Sequence, residues 1–213
     1  MVAETDARWV PVAVSADIPD GTVVPARLPT GPIAVWRSDS GRIYANGDRC
    51  PHRGMRLSHG FVRGESLSCI YHGWRFGSDG ACQKIPAHPA VVPPKTINCG
   101  ALPAIEALGI VWAAVQTPTE APPDFESYEA VRSLVIAATP DAVARACDAE
   151  LNADTIKTQC DGHDVVLLVT ATVPEEVFVI VLVDKKLNLS DRIAFSTGLE
   201  ALRRTAEAKG YAA

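Results

Sequence analysis

The chain has 213 residues, 47% hydrophobic and 21% charged, which excludes a disordered or fibrous protein and allows one or two packed domains. Its 20 Lys and Arg against 25 Asp and Glu leave a net charge of -5, which argues against a nucleic-acid partner, because a phosphate backbone demands a surplus of clustered cations. The longest apolar run, Val177 to Val183, is about a third of a bilayer span, so no membrane segment is expected. The opening MVAETDARWV has Glu4 and Asp6 and no basic flank, so it does not read as a secretory leader and the cytoplasm is the expected compartment. Six cysteines are too few for a disulfide scaffold; in a reducing compartment they are ligands or small buried hydrophobes.

In chain order, the first half shows short apolar or alternating runs: WVPVAV at 9–14, TVVPARL at 22–28, PIAVWRS at 32–38 and RIYAN at 42–46. Turn clusters such as Pro19-Asp20-Gly21 and Asp39-Ser40-Gly41 separate them, the pattern of an all-β domain built of hairpins. A polar, proline-rich stretch, QTPTEAPPDFES at 116–127, follows; its 119–127 part reads as a linker between a first domain of 9–118 and a second of 128–213. Beyond it, Leu134 to Ala137 reads as a short strand. Thr139-Pro140-Asp141 reads as an N-cap, a first-turn proline and a dipole-matched acid, opening a helix with Val143, Cys147 and Leu151 at i, i+4 spacing. Val165–Val173 and Val177–Val183 read as a hairpin whose second strand, apolar on both faces, is central. Thr197 with Glu200 forms a capping-box pattern for a last helix with Leu199, Leu202 and Ala206 on its apolar face and Gly210 at its close. The second domain is therefore α+β.

The chemistry lies in two short segments. Residues 50–54 read Cys-Pro-His-Arg-Gly and residues 69–74 read Cys-Ile-Tyr-His-Gly-Trp, with 16 residues between His52 and Cys69. A Cys2His2 set also binds zinc, but zinc fingers usually pair Cys with Cys and His with His. Here each segment mixes one thiolate with one imidazole. That suits a two-iron, two-sulfide centre in which Cys50 and Cys69 hold one iron and His52 and His72 the other. His59 and His88 read as loop histidines, and Cys82, Cys99, Cys147 and Cys160 as packing residues without ligand spacing. Trp74, Trp112 and Phe76 read as core aromatics around the metal-binding lobe.

On Cys50-Pro51-His52-Arg53-Gly54 and Cys69-Ile70-Tyr71-His72-Gly73-Trp74, the sequence resembles the Rieske [2Fe-2S] family over roughly residues 9–115, and within it the Rieske domain of aromatic-ring hydroxylating oxygenase large subunits, including the vanillate demethylase-like members. Respiratory members carry an extra cysteine in each loop, forming a disulfide, and hydroxyl donors to the cluster sulfurs; this chain has Arg53-Gly54-Met55, Tyr71, Trp74 and Phe76 there instead. The resemblance implies a helix-grip second domain with a mononuclear iron held by two histidines and a carboxylate. Only His163 follows the linker, and Asn152, Asp154 and Lys157 echo the family's N-x-x-D-x-x-H segment with a lysine in a histidine position; a helix end and a turn are expected there. The second domain is thus read as a shortened helix-grip fold without that iron. The implied role is one-electron transfer from a reductase to a partner iron-containing oxygenase subunit, in a mixed oligomer. The rival readings are an oxygenase whose iron site is completed across a subunit interface, and a redox-sensing or ligand-binding module.

Overall fold

The computed structural model describes residues 7–160 and 162–210, so residues 1–6, on which the reading of the leader partly rests, lie outside it. The chain divides into two compact units, one of residues up to 107 with 111–122, the other of 108–110 with 123–213. The strands of the first are β1 (Val10–Val14), β2 (Val23–Leu28), β3 (Gly31–Arg37), β4 (Ile43–Gly47), β5 (Phe61–Arg63), β6 (Ser66–Ser68), β7 (Arg75–Phe76), β8 (Cys82–Lys84), β9 (Ala101–Leu102), β10 (Ala104–Ala107) and β11 (Ile110–Ala113). They form three sheets in the orders β2-β3-β4-β9, β1-β11-β10 and β5-β6-β7-β8, the first and last antiparallel throughout.

Strand β3 explains how two cores share one unit. Its GPIAVWR run is buried on both faces, so alternate side chains go to opposite sides. Ile33 and Val35 join Val12, Ile18, Leu28, Ala45 and Val111 in one apolar cluster. Ala34 and Trp36 join Leu57, Leu67, Phe76, Cys50 and Cys69 in another. The second cluster is the floor of the candidate site. Trp36, fully buried, donates from Nε1 to Asn46 Oδ1 at 2.7 Å, which satisfies the one polar atom of its ring. Phe76 lies in the same cluster and Trp74 packs against it. Trp112 does not: it belongs to β11, in the other sheet, where its Nε1 donates to Ala107 O at 3.3 Å.

The second unit contains β12 (Tyr128–Ile136), α1 (Pro140–Ala146), β13 (Leu151–Asn152), β14 (Thr155–Cys160), β15 (His163–Val173), β16 (Glu176–Asp184) and α2 (Leu189–Gly210). Its sheet has the order β12-β16-β15-β14-β13, so the strand apolar on both faces, β16, pairs on both edges. Val177, Val179, Val181 and Val183 face the same core as Val165, Leu167 and Val169, and Val143 of α1 with Leu199 and Ala206 of α2 belong to that core. Thr139 caps α1, its Oγ1 accepting from Ala142 N at 3.3 Å.

Three sequence expectations need correction. Helix α1 ends at Ala146, because Asp148 takes a left-handed backbone with φ 49°, so Leu151 lies on β13 rather than on the helix. Helix α2 begins at Leu189, which puts Thr197 inside it; Asn188 sits at its start, accepting from Asp191 N at 3.0 Å and donating to Asp191 Oδ2 at 2.7 Å. The segment around Asn152 is not a helix end but a hairpin: Asn152 pairs with Thr155 across Ala153 and Asp154, whose φ values of 43° and 67° fit a two-residue turn.

Candidate metal centre

The two cysteine–histidine segments fold into the same six-residue loop. In the first, Cys50 N donates to Met55 O at 2.8 Å and Gly54 N to Cys50 O at 2.8 Å. In the second, Cys69 N donates to Trp74 O at 2.9 Å and Gly73 N to Cys69 O at 3.0 Å. Gly54 and Gly73, each four residues after its cysteine, have φ of 71° and 69°, a left-handed turn open mainly to glycine. The histidine occupies the third position of the first loop and the fourth of the second. Register places Ser68 opposite Phe61 and Arg75, so the second loop caps the β6–β7 end of the sheet.

Burial sorts the four side chains into two pairs. Cys50 and Cys69 are 3% and 1% exposed within one apolar cluster, whereas His52 is half-buried and His72 exposed. The imidazoles lie together, with ring centroids 4.6 Å apart at 65°. His52 also stacks on Trp74 at 4.4 Å and 5°, and Tyr71 packs on His72 at 3.8 Å. Burial pushes the Cys50 thiol up to about 11, against hydrogen bonds from the His52 and Arg53 backbone, and the neighbouring Cys69 sulfur adds to the rise. Two adjoining thiols in an apolar floor become thiolates only with a cation between them. Burial, together with the charges of His72 and Arg53, lowers the pKa of His52, which favours the neutral imidazole that a metal ligand requires.

The donor set fits an iron–sulfur group. Among the described residues, two buried side-chain polar atoms lack a hydrogen-bond partner: His52 Nδ1, and Oγ of Ser68, the residue before Cys69. Buried orphans are rare, and both of these sit at the two loops. No three His, Cys, Asp or Glu side chains among the described residues gather as one ion requires. Two thiols on the inside and two imidazoles on the outside instead match a centre in which each of two irons takes two protein ligands. Behind the first loop, the carboxylate of Asp48, wholly buried, accepts from Ser58 N at 2.7 Å and Ser58 Oγ at 2.9 Å, with Arg56 Nη1 at 3.7 Å. This lock, the orphaned Ser68 hydroxyl and the matched glycines were not singled out in the sequence, although the repeated C-x-x-x-G spacing was visible there.

The remaining candidates lie elsewhere. His59 ends the 3-10 turn Leu57–His59 and is exposed, as is His88. Cys82 and Cys99 pack into the floor cluster, Sγ of Cys99 facing Gly80 O at 3.4 Å, and burial pushes the Cys99 thiol up to about 12. Cys147 and Cys160 pack against the second core. His163 starts β15, opposite Cys160.

An all-β lobe with paired Cys–His loops is the architecture of an iron–sulfur-binding domain. Residues 8–103 match the family model of the Rieske [2Fe-2S] domain, and the chain carries a domain of that family, homologous to those of Rieske oxygenase subunits. The cofactor is therefore a Rieske-type [2Fe-2S] cluster. Oxidoreductase NdmD of Pseudomonas putida is 39% identical over 116 residues, 54% of this chain and 20% of that protein. Chlorophyllide a oxygenase of Chlamydomonas reinhardtii is 38% identical over 119 residues, 55% of this chain and 18% of that protein. The match thus spans about a fifth of these relatives' length. The crystal structure of apo dicamba monooxygenase superposes with a TM-score of 0.76 over 97% of this chain and 87% of that one at 16% identity, so the likeness in fold extends through the second unit. No helix among the described residues is long and apolar enough to cross a membrane.

Proposed function

We propose that this chain is an electron-transfer component of a Rieske non-haem iron oxygenase system. Cys50 and Cys69 hold one iron of the cluster, and His52 and His72 hold the other. The cluster supplies one-electron redox chemistry; the chain's own residues set where the electron enters and leaves. The buried thiols keep one side dry, and the exposed His72 makes the shortest route to an acceptor. The carrying observation is the coincidence of the two orphaned polar atoms with two matched loops that sort thiols inward and imidazoles outward. In this reading 9–118 is the electron-transfer module, 119–127 the linker and 128–213 a small α+β module.

The electron comes from a reductase and goes to a separate oxygenase iron, in the cytoplasm. The separate iron is inferred from the histidine count: His163 is the sole histidine of residues 128–213, one short of the two that such an iron site takes. Purified protein is expected to hold two irons and two acid-labile sulfides per chain, lost in Cys50→Ala and His72→Ala. It should be reduced by a flavin reductase and form no product from oxygen until an oxygenase with its own iron is added. Product formation unaided, with a third iron per chain, overturns the proposal; zinc without sulfide overturns the ligand assignment.

A further inference from the structure

The two ligand loops close alike but stand on different stems. The second rises from a β-ladder, in which Leu67 and Ser68 of β6 pair with Phe76 and Arg75 of β7. The first has no such ladder: residues 48–60 form no strand or bridge, and the 3-10 turn Leu57–His59 begins two residues after Met55. A loop without cross-strand bonds at its stem is free to pivot, whereas a cluster of fixed size needs its four ligands at a fixed spacing.

A side chain stands in for the missing ladder. Asp48, two residues before Cys50, has a wholly buried carboxylate that accepts from Ser58 N at 2.7 Å and from Ser58 Oγ at 2.9 Å. Its own N–H donates to Pro32 O at 3.3 Å, near the start of β3. The carboxylate thus ties the residue that enters the first loop to the turn that leaves it. Arg56 Nη1 stands 3.7 Å away, beyond hydrogen-bond range, with 42% of its side chain exposed. Burying a charge against so distant a cation costs stability, which a stem needing stability alone would avoid. The turn carries the tie onward to the second loop. Leu57 lies in the floor cluster with Cys50 and Cys69. Gly60 passes so close to β6 that an added Cβ would meet Ser68 O at 2.1 Å and Leu57 O at 2.9 Å. Phe61, next in the chain, opens β5 and pairs with Ser68, the residue before Cys69. A continuous path therefore runs from Asp48 through Ser58 and Gly60 to the backbone that presents Cys69.

We infer that Asp48 is a positioning residue that, through Ser58 and the turn ending at Gly60, holds the first ligand loop at a set spacing from the second. The inference rests on the ligand assignment proposed above and adds the residue that keeps the two halves of the donor set in register.

The test measures iron release from the oxidised protein to a chelator, well below the unfolding temperature, together with the EPR spectrum of the reduced cluster. Asp48→Ala removes both accepted bonds and should release iron about tenfold faster or more, the size of effect found for groups that orient metal ligands. Asp48→Asn keeps the shape: its Oδ1 can accept from Ser58 N and its amide can donate to Ser58 Oγ, so release should stay within about threefold of the unaltered protein. Gly60→Ala pushes the turn off Ser68 O and should act like Asp48→Ala, although it removes no polar group. Both should shift the g values of the reduced cluster. Amide exchange should rise at Cys50 and Gly54 but not at Cys69 and Gly73, whose loop stands on the β6–β7 ladder. Arg37→Lys, which weakens the first unit outside both loops, is the control and should leave iron release and g values unchanged. If Asp48→Ala does not fold, Ser58→Ala, which deletes the hydroxyl bond alone, should still release iron about threefold faster or more. Release from Asp48→Ala within about twofold of the unaltered protein, or equal acceleration by Arg37→Lys, overturns the inference. The first result means that the loops keep their spacing without the tie, the second that Asp48 only adds stability. An unaltered protein with no iron to release defeats the ligand assignment instead, and iron analysis separates that result from the others.

Discussion

A glycine four residues after each cysteine sets how tightly the ligand loops close. Both hold a left-handed backbone, which costs a residue with a Cβ about 1–2 kcal/mol. At Gly54 an added Cβ meets nothing within 4 Å, whereas at Gly73 it meets Pro86 at 3.1 Å. Gly73→Ala should therefore be the more damaging of two substitutions that look alike in sequence. Gly54→Ala is expected to lower the thermal midpoint of the first unit by about 4–16 °C, from the backbone term alone. Gly73→Ala should lower it further and reduce the iron retained; equal losses would show that Pro86 yields without cost. The ligand types were legible at this scale because metal chemistry restricts them to few residue kinds. The supporting groups were not, because Ser68 and Asp48 gain meaning only from burial, which a sequence does not state.

Arg37 shows how one side chain binds several elements of the first unit. Its guanidinium donates to Ile18 O at 2.7 Å, Gly41 O at 2.9 Å, Ser15 Oγ at 2.8 Å and Glu106 Oε2 at 2.8 Å, joining β3 to the turn after β1, the β3–β4 hairpin and β10. An ammonium cannot reach all four, so Arg37→Lys should cost about 2–3 kcal/mol in denaturant unfolding. Burial raises the Glu106 pKa, but hydrogen bonds from Ser15 and Arg37 and the Arg37 charge outweigh it, and the net shift is downward from 4.5. A carboxyl that titrates lower when folded contributes stability above its unfolded value, and loses it as pH falls through the folded one. The deficit of Glu106→Gln should thus be present at pH 7 and vanish below pH 4.5; since its side chain is 42% exposed, the deficit stays under about 1 kcal/mol. A deficit that grows in acid would contradict this assignment.

Elements with a strong local signal were readable, and those held by distant partners were not. The strands β1 to β4 stand where the apolar runs and turn clusters put them. Strand β12 was read only from Leu134 because its first half carries Glu129 and Arg132, which gain their role from α2: Arg132 pairs with Glu200 at 2.8 Å and Glu129 with Arg192. The true start of α2 at Asn188 was outcompeted by the Thr197–Glu200 pattern, and Glu200 turns out to serve Arg132 rather than a cap.

For the whole molecule, the consequence of the two units is that each has its own optical reporter. All four tryptophans, Trp9, Trp36, Trp74 and Trp112, fall in the first unit, while both α-helices of the described residues fall in the second. On the proposed ligand assignment, removing the cluster would leave two thiols, an imidazole nitrogen and the Ser68 hydroxyl of the first unit without a partner, and would untie two loops whose ligands His52 and Cys69 have 16 residues between them. A metal group bound only by the folded state stabilises it by its binding free energy. Chelation and sulfide loss should therefore shift the tryptophan fluorescence transition to lower temperature by ten degrees or more, on the order expected from losing a few kcal/mol in a domain of about 100 residues. The helical circular dichroism transition should stay within about 2 °C, below the shift that 1 kcal/mol gives a domain this small. If both transitions move together, the units unfold as one and the cluster supports the entire chain.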